Sequence, residues 1–131
     1  MLLCDLDGFK ALNDAHGHTV GDAVLVAVAR RLESALRPGD TLARLGGDEF
    51  VALVAGVADQ AALAAVAARL EASLAEPITV DGRALDVGVS VGGACADTDG
   101  PDTEALLHHA DAAMYEVKHR RGAGREAAPA R

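Results

Sequence analysis

The chain has 131 residues, enough for one domain built around a single core. Half of its residues are hydrophobic, 24% are charged and the formal net charge is −8. This is the composition of a folded globular protein with no sequence-independent attraction to nucleic acid or to an anionic membrane. Phe9, Phe50 and Tyr115 are the whole aromatic set, so the core must be made of Leu, Val and Ala, and base stacking on aromatic platforms is excluded. No apolar run reaches membrane-spanning length and no secretory leader is recognisable, which makes the cytoplasm the expected compartment. Cys4 and Cys95 lie in apolar stretches without metal-ligand spacing and are predicted to be buried, reduced thiols.

In chain order, Met1 to Leu6 is a short apolar run of the kind that makes a buried strand. Gly8 to Ala15 predicts a short helix. Thr19 is expected to open a longer one, with Asp22 at capping-box spacing and Val20, Val24, Val28, Leu32 and Leu36 on one face. Pro38 and Gly39 end it. Thr41–Leu45 and Glu49–Val54 flank Gly46-Gly47-Asp48, the pattern of a β-hairpin whose turn needs positive φ. A helix follows from Asp59, its expected cap, to Ala75, with Leu63, Val66, Leu70 and Leu74 facing inward. Ile78–Val80 and Ala84–Ala94 predict two strands joined at Asp81-Gly82. After a polar loop over Asp97–Asp102, the positions Leu106, Leu107, Ala110, Met114 and Val117 mark a last helix that frays near Lys118. Residues 121–131, rich in Ala, Gly and Arg, read as a disordered tail. The order strand, helix, helix, hairpin, helix, hairpin, helix predicts an α+β fold with a central, mostly antiparallel mixed sheet and helices packed on it. No dinucleotide or Walker-type glycine loop is present.

Acidic residues gather at two places: Asp5 and Asp7 at the end of the first strand, and Asp48 and Glu49 in the glycine turn. Like charges held close raise each other's pKa, and a divalent cation removes that penalty. Mg²⁺ suits such a site, because it takes one or two carboxylates and fills its remaining positions with water and nucleotide phosphate oxygens. Gly46 and Gly47 would let a phosphate approach the backbone. Taken alone, the same turn also reads as a solvated one.

The turn does not stand alone. Gly46-Gly47-Asp48-Glu49-Phe50 resembles the signature of GGDEF domains, the diguanylate cyclase family. Asp5-Leu6-Asp7-Gly8-Phe9-Lys10, Asn13-Asp14, Gly17-His18 and Gly21-Asp22 are similar in order and spacing to the family's D-x-D-x-F-K-x-x-N-D…G-H-x-x-G-D segment. Ser90-Val91-Gly92 resembles its S-x-G strand, and Ala110-Asp111, Ala113-Met114-Tyr115 and Lys118 its carboxy-terminal helix. The resemblance covers Met1 to about Lys118 and implies a palm-like nucleotidyl cyclase architecture over residues 1–120.

It also implies the chemistry. Asp5, the Leu6 carbonyl and Asp48 would hold Mg²⁺ or Mn²⁺ against a triphosphate. Asp48 would help deprotonate the 3′-hydroxyl of one GTP as it attacks the α-phosphorus of a second, with Glu49 supporting metal and turn. Asn13 and Asp22 correspond to the guanine readers, although Asp22 also reads as a helix cap. Phe9, Lys10, Gly46, Gly47 and Lys118 complete the substrate site. Arg37-Pro38-Gly39-Asp40, with five residues between Asp40 and Gly46, corresponds to the site at which the product cyclic di-GMP inhibits; without the resemblance it reads as a helix-ending turn.

Each domain would hold one GTP, so turnover calls for a homodimer, and relatives attach sensory or dimerisation modules upstream. A domain that binds cyclic di-GMP or GTP without turnover is the rival reading. Two departures are expected to matter. The helix and D-x-L-T-G-L-x-N-R segment that relatives carry ahead of the first strand are not in this chain, so it reads as a domain lacking its first helix, with weak or no activity as a monomer. Where relatives read K-x-x-G-R-N, Lys118 is followed by His119, Arg120, Arg121 and Gly122, so the phosphate-binding arginine is displaced, with Arg120 and Arg121 as its candidates.

Overall fold

The computed structural model describes residues 1–57, 59–96 and 102–127, with side chains described to Arg121. Strand β1 (Leu2–Asp7) leads into helices α1 (Phe9–His16) and α2 (His18–Ala35). The hairpin β2 (Thr41–Gly46) and β3 (Glu49–Leu53) follows, then α3 (Gln60–Ser73), a second hairpin β4 (Ile78–Val80) and β5 (Arg83–Leu85), β6 (Gly88–Gly93) and α4 (Thr103–Ala127). The central sheet has the order β2-β3-β1-β6, and β4-β5 forms a separate ribbon. Every pairing in both is antiparallel, so the α+β architecture holds and its sheets contain no parallel pair among the described residues.

Side chains alternate across a strand, and β1 uses both faces. Leu2, Cys4 and Leu6 point into the main core with Val24, Val28 and Leu32 of α2 and Leu63, Val66 and Leu70 of α3. Leu3 points the other way, into a smaller cluster with Ala110 and Met114 of α4. By the same alternation Asp5 and Asp7 share the α4 side with Leu3. The position of α4 depends on Gly92, where a Cβ would collide with the backbone of Met114 and Ala110. Cys4 and Cys95 are buried, reduced cysteines, as expected, and burial pushes the Cys4 thiol up to about 12, with the Glu71 charge adding to it.

Four sequence expectations are corrected. The capping box at Thr19 and Asp22 does not form: α2 begins a residue earlier, after Gly17, with no side-chain cap. Ala84–Ala94 is not one strand. Its first part pairs with β4, while Gly88–Gly93 crosses to the central sheet and pairs along the whole of β1. The last helix does not fray at Lys118 but continues to Ala127, carrying Arg121, because Arg121 is anchored to the sheet; residues 128–131 lie outside the described residues. Leu107, expected on the inner face, is 41% exposed. In the loop before α4, residues 97–101 also lie outside the described residues, and Asp102 caps the helix by accepting from the Ala105 N–H at 2.7 Å. The Asp59 cap forms as predicted, accepting from Ala62 at 2.8 Å.

Candidate active site

Strand register brings the two acidic groups together. Asp5 lies opposite Glu49 on one side and Ser90 on the other. The Leu6 N–H donates to the Asp48 carbonyl at 3.0 Å, which ties the hairpin turn to the end of β1. The turn itself is possible because Gly46 (φ 145°) and Gly47 (φ 51°) occupy the left-handed region that other residues avoid. A bulge between Arg44 and Gly46 tightens it. Arg44, which sequence reasoning passed over, donates from Nε and Nη2 to the Gly47 carbonyl at 3.0 and 2.8 Å and so braces the turn from outside. An arginine two residues before a diglycine carries no local signal of that role.

Burial pushes the Asp5 carboxyl above its ordinary value, opposed by the Lys118 hydrogen bond and reinforced by repulsion from Asp48 and Asp7. Glu49 is raised by the same effects, first its partial burial and then the charges of Asp5, Asp48 and Asp111. One oxygen of Asp5, Oδ1, is buried with no hydrogen-bond partner. Orphaned buried acceptors are costly and uncommon, and a carboxylate with one such oxygen, whose other oxygen shares the Lys118 ammonium with the Leu6 carbonyl, offers oxygen donors of the kind a hard cation takes. Among the described residues no three His, Cys, Asp or Glu side chains converge into a ready-made metal cage. Asp5, the Leu6 carbonyl and Asp48 nonetheless fit Mg²⁺ or Mn²⁺, because such ions are commonly held by one or two carboxylates with the nucleotide completing the shell.

Asp7 is different. Its side chain is 5% exposed, and both oxygens are engaged: Oδ1 accepts from the Ser90 hydroxyl at 2.7 Å, and Oδ2 from Arg121 at 2.9 Å. Arg121 also donates to the Val89 carbonyl and pairs with Glu71 of α3 at 3.1 Å. Of the two arginines expected as replacements for the displaced phosphate contact, Arg121 is therefore turned inward, whereas Arg120 is exposed. Glu71 was not legible as a partner, since nothing in its helix pattern points across to α4. Lys118, expected on phosphate, bonds instead to Asp5 Oδ2 at 3.1 Å and to the Leu6 carbonyl at 3.2 Å.

The expected guanine readers sit on α1 and the start of α2. Asn13 is half-buried, with its Oδ1 in the space a Cβ on Gly21 would take, so the small residue lets the two helices close around the amide. Its Nδ2 lies 3.0 Å from Nδ1 of His18, which accepts when the ring proton is on Nε2. Asp22, relieved of capping, is exposed one residue beyond Gly21. Phe9 packs partly against the core and Lys10 is exposed. A cleft of about 720 Å³ opens beside Glu49, lined by Leu45, Glu104, Leu107, His108, His109 and Asp111 among others.

Arg37 and Asp40 are not part of this cluster. They follow the far end of α2, whose 18 residues span about 27 Å. Asp40 accepts from the Arg37 N–H at 3.0 Å and from the Ala55 N–H at 3.1 Å, and these backbone donors hold its carboxyl below the ordinary aspartate value. The Arg37 side chain is exposed.

Both the fold and the sequence have close counterparts. The family model described as "Diguanylate cyclase, GGDEF domain" matches residues 1–124. The chain is 42% identical to the bifunctional diguanylate cyclase/cyclic di-GMP phosphodiesterase MucR of Pseudomonas aeruginosa, over 90% of this chain and 17% of MucR. It is 42% identical to the diguanylate cyclase TpbB of the same species, over 90% of this chain and 27% of TpbB. The crystal structure of the TpbB GGDEF domain superposes with a TM-score of 0.85 at 40% identity, covering 91% of this chain and 74% of that one. A sensory box/GGDEF family protein from Caulobacter crescentus superposes at 0.81 with 49% identity, covering 91% and 77%. The chain belongs to the GGDEF domain family of diguanylate cyclases. It spans only a small part of the length of these curated relatives. Among the described residues no helix is long and apolar enough to cross a membrane.

Proposed function

We propose that this domain condenses two GTP molecules into cyclic di-GMP with release of pyrophosphate. The observation that carries the reading is the buried, unpartnered Oδ1 of Asp5, the residue before Leu6, whose N–H is tied to the Asp48 carbonyl. A bound Mg²⁺ or Mn²⁺ would neutralise charge on the attacking and leaving oxygens. Asp5, the Leu6 carbonyl and Asp48 would hold it. Asp48 accepts the proton of the 3′-hydroxyl as its oxygen attacks the α-phosphorus of the facing GTP and the bond to pyrophosphate breaks; Glu49 supports the turn that carries Asp48. Repeating the step with the roles of the nucleotides exchanged closes the ring. Asn13 and Asp22 read guanine, since an amide offers donor and acceptor and a carboxylate accepts from N1–H and N2–H₂. Phe9 shapes the pocket wall. Gly46 and Gly47 leave room for the phosphates, with Lys10 and Lys118 supplying positive charge.

One domain holds one half of the reaction, so the active species is a homodimer whose half-sites face each other. Cyclic di-GMP rebinds at Arg37 and Asp40 as an inhibitor, the guanidinium gripping guanine or phosphate. The test is product formation from GTP and Mg²⁺ across protein concentration. The expected result is a rate per molecule that rises with concentration; a rate that stays high and flat down to dilute monomer overturns the dimer requirement, and no product in any enforced dimer overturns the cyclase reading. A second reading, nucleotide binding without turnover, is favoured by the position of Lys118 on the metal donors. Calorimetry with GTP and cyclic di-GMP on wild type and Arg37→Ala, run beside the product assay, separates the two.

A further inference from the structure

Lys118 is the one phosphate-contact candidate that lies on the metal donors. Its Nζ is 3.1 Å from Asp5 Oδ2, 3.2 Å from the Leu6 carbonyl and 3.9 Å from Asp7 Oδ1. Asp5 and the Leu6 carbonyl are the same two donors that fit a divalent ion. We propose that Lys118 is a positioning residue that stands in for the metal when no nucleotide is bound and transfers to the triphosphate as metal and nucleotide enter together, so that metal binding is coupled to nucleotide binding. This rests on the reading of Asp5 and Leu6 as metal donors and extends it.

Three features of the site support the exchange. First, an ammonium on Asp5 Oδ2 and the Leu6 carbonyl and a hard dication on the same two groups repel each other at short range. Each weakens the other's hold on Asp5 and Leu6. Second, the helix bearing Lys118 does not depend on it for its place. One turn further on, Arg121 grips Asp7, the Val89 carbonyl and Glu71, and Gly92 lets Met114 and Ala110 lie directly on β6. The Lys118 side chain, 39% exposed and on a flexible four-carbon stem, can swing without unpacking α4. Third, Arg121 and Ser90 keep Asp7 satisfied whichever way Lys118 points. When the lysine leaves, the charge uncovered belongs to Asp5 and its neighbours Asp48 and Glu49, and the cation that replaces it meets the same oxygens.

The consequence is a binding linkage. Metal alone must displace the ammonium into water and lose an ion pair, whereas metal arriving with a triphosphate gives the ammonium a new anionic partner. By reciprocity, nucleotide must raise metal affinity as much as metal raises nucleotide affinity.

The test is Mn²⁺ binding by electron paramagnetic resonance to the wild-type chain, Lys118→Met and Asp5→Asn, each with and without a non-hydrolysable GTP analogue. Without nucleotide, Lys118→Met is expected to bind Mn²⁺ about tenfold or more tightly than wild type; with the analogue this advantage shrinks or reverses. Equal affinity of the two proteins for Mn²⁺ alone, or no binding by Lys118→Met while wild type binds Mn²⁺ with the analogue, overturns the exchange. Wild type that takes up no Mn²⁺ even with the analogue, or Asp5→Asn that binds as wild type does, overturns the metal-site reading instead. A second measurement needs no substitution at Lys118: after reductive ¹³C-methylation, its dimethylammonium resonance should shift with Mg²⁺ and analogue together and stay in place with Mg²⁺ alone at the same concentration. A full shift with Mg²⁺ alone overturns the proposal.

Discussion

Asp5 and Asp40 are both aspartates near the ends of strands, and their surroundings push them in opposite directions. Asp5 is largely buried, has an oxygen without a partner and is pushed above its ordinary value. Asp40 is half-buried, is engaged at both oxygens by two backbone N–H groups and is held below it. A carboxylate of the first kind is short of positive charge, which fits a site that recruits a cation. A carboxylate of the second kind is already a structural brace, so the proposed recognition of cyclic di-GMP at this turn would fall to the exposed Arg37 side chain.

The strongest way to break this contrast is Asp5→Asn. It should lower cyclic di-GMP formation at least about 100-fold, measured by chromatography of the product, while the thermal melt is unchanged or slightly higher because a buried, under-partnered charge has been removed. A variant that keeps its activity would end the metal-site reading. At the other site, Arg37→Ala should weaken cyclic di-GMP binding roughly tenfold or more by calorimetry and leave stability within about 0.5 kcal/mol. Undiminished binding would show that the turn is only a turn.

The middle of the contrast is Asp7, buried yet satisfied. Arg121→Met should cost roughly 2 kcal/mol in denaturant unfolding, because a charge-assisted bond to a buried carboxylate is lost, with solvent around the half-exposed guanidinium limiting the loss. A loss no larger than that of an average surface substitution would mean that α4 is held by Gly92 packing alone. The smallest effect concerns pH. Because the folded Asp40 has a depressed pKa, its contribution is present above the ordinary aspartate value of about 4 and is lost as pH falls through the lower folded value. The gap in melting temperature between wild type and Asp40→Asn should be widest at neutral pH and close in strong acid; a gap independent of pH would contradict the backbone-cap account.

Much of this was readable in the chain before any coordinates. The apolar period of α3 and its Asp59 cap, the diglycine hairpin and the buried β1 follow from local rules, since 3.6-residue and two-residue periodicities and positive-φ glycines act over a few positions. Local rules failed where two elements compete for one segment. Ala84–Ala94 reads as a single strand, but its halves pair with different partners, and pairing depends on what lies alongside. The Thr19 capping box obeys a sound local pattern and yields to Gly17, which starts the helix a residue earlier and leaves Asp22 exposed.

By itself the sequence determined the elements, the inward faces and the residue types capable of metal and nucleotide chemistry, because these depend on neighbours along the chain. Only the tertiary structure decided which charges meet. Contacts such as Arg121 with Asp7 and Glu71, Lys118 with Asp5, and Ser90 with Asp7 join residues dozens to over a hundred positions apart, and no period or spacing in the chain encodes them. They arise because β6 lies beside β1 and Gly92 of β6 lets α4 come down onto the strand pair.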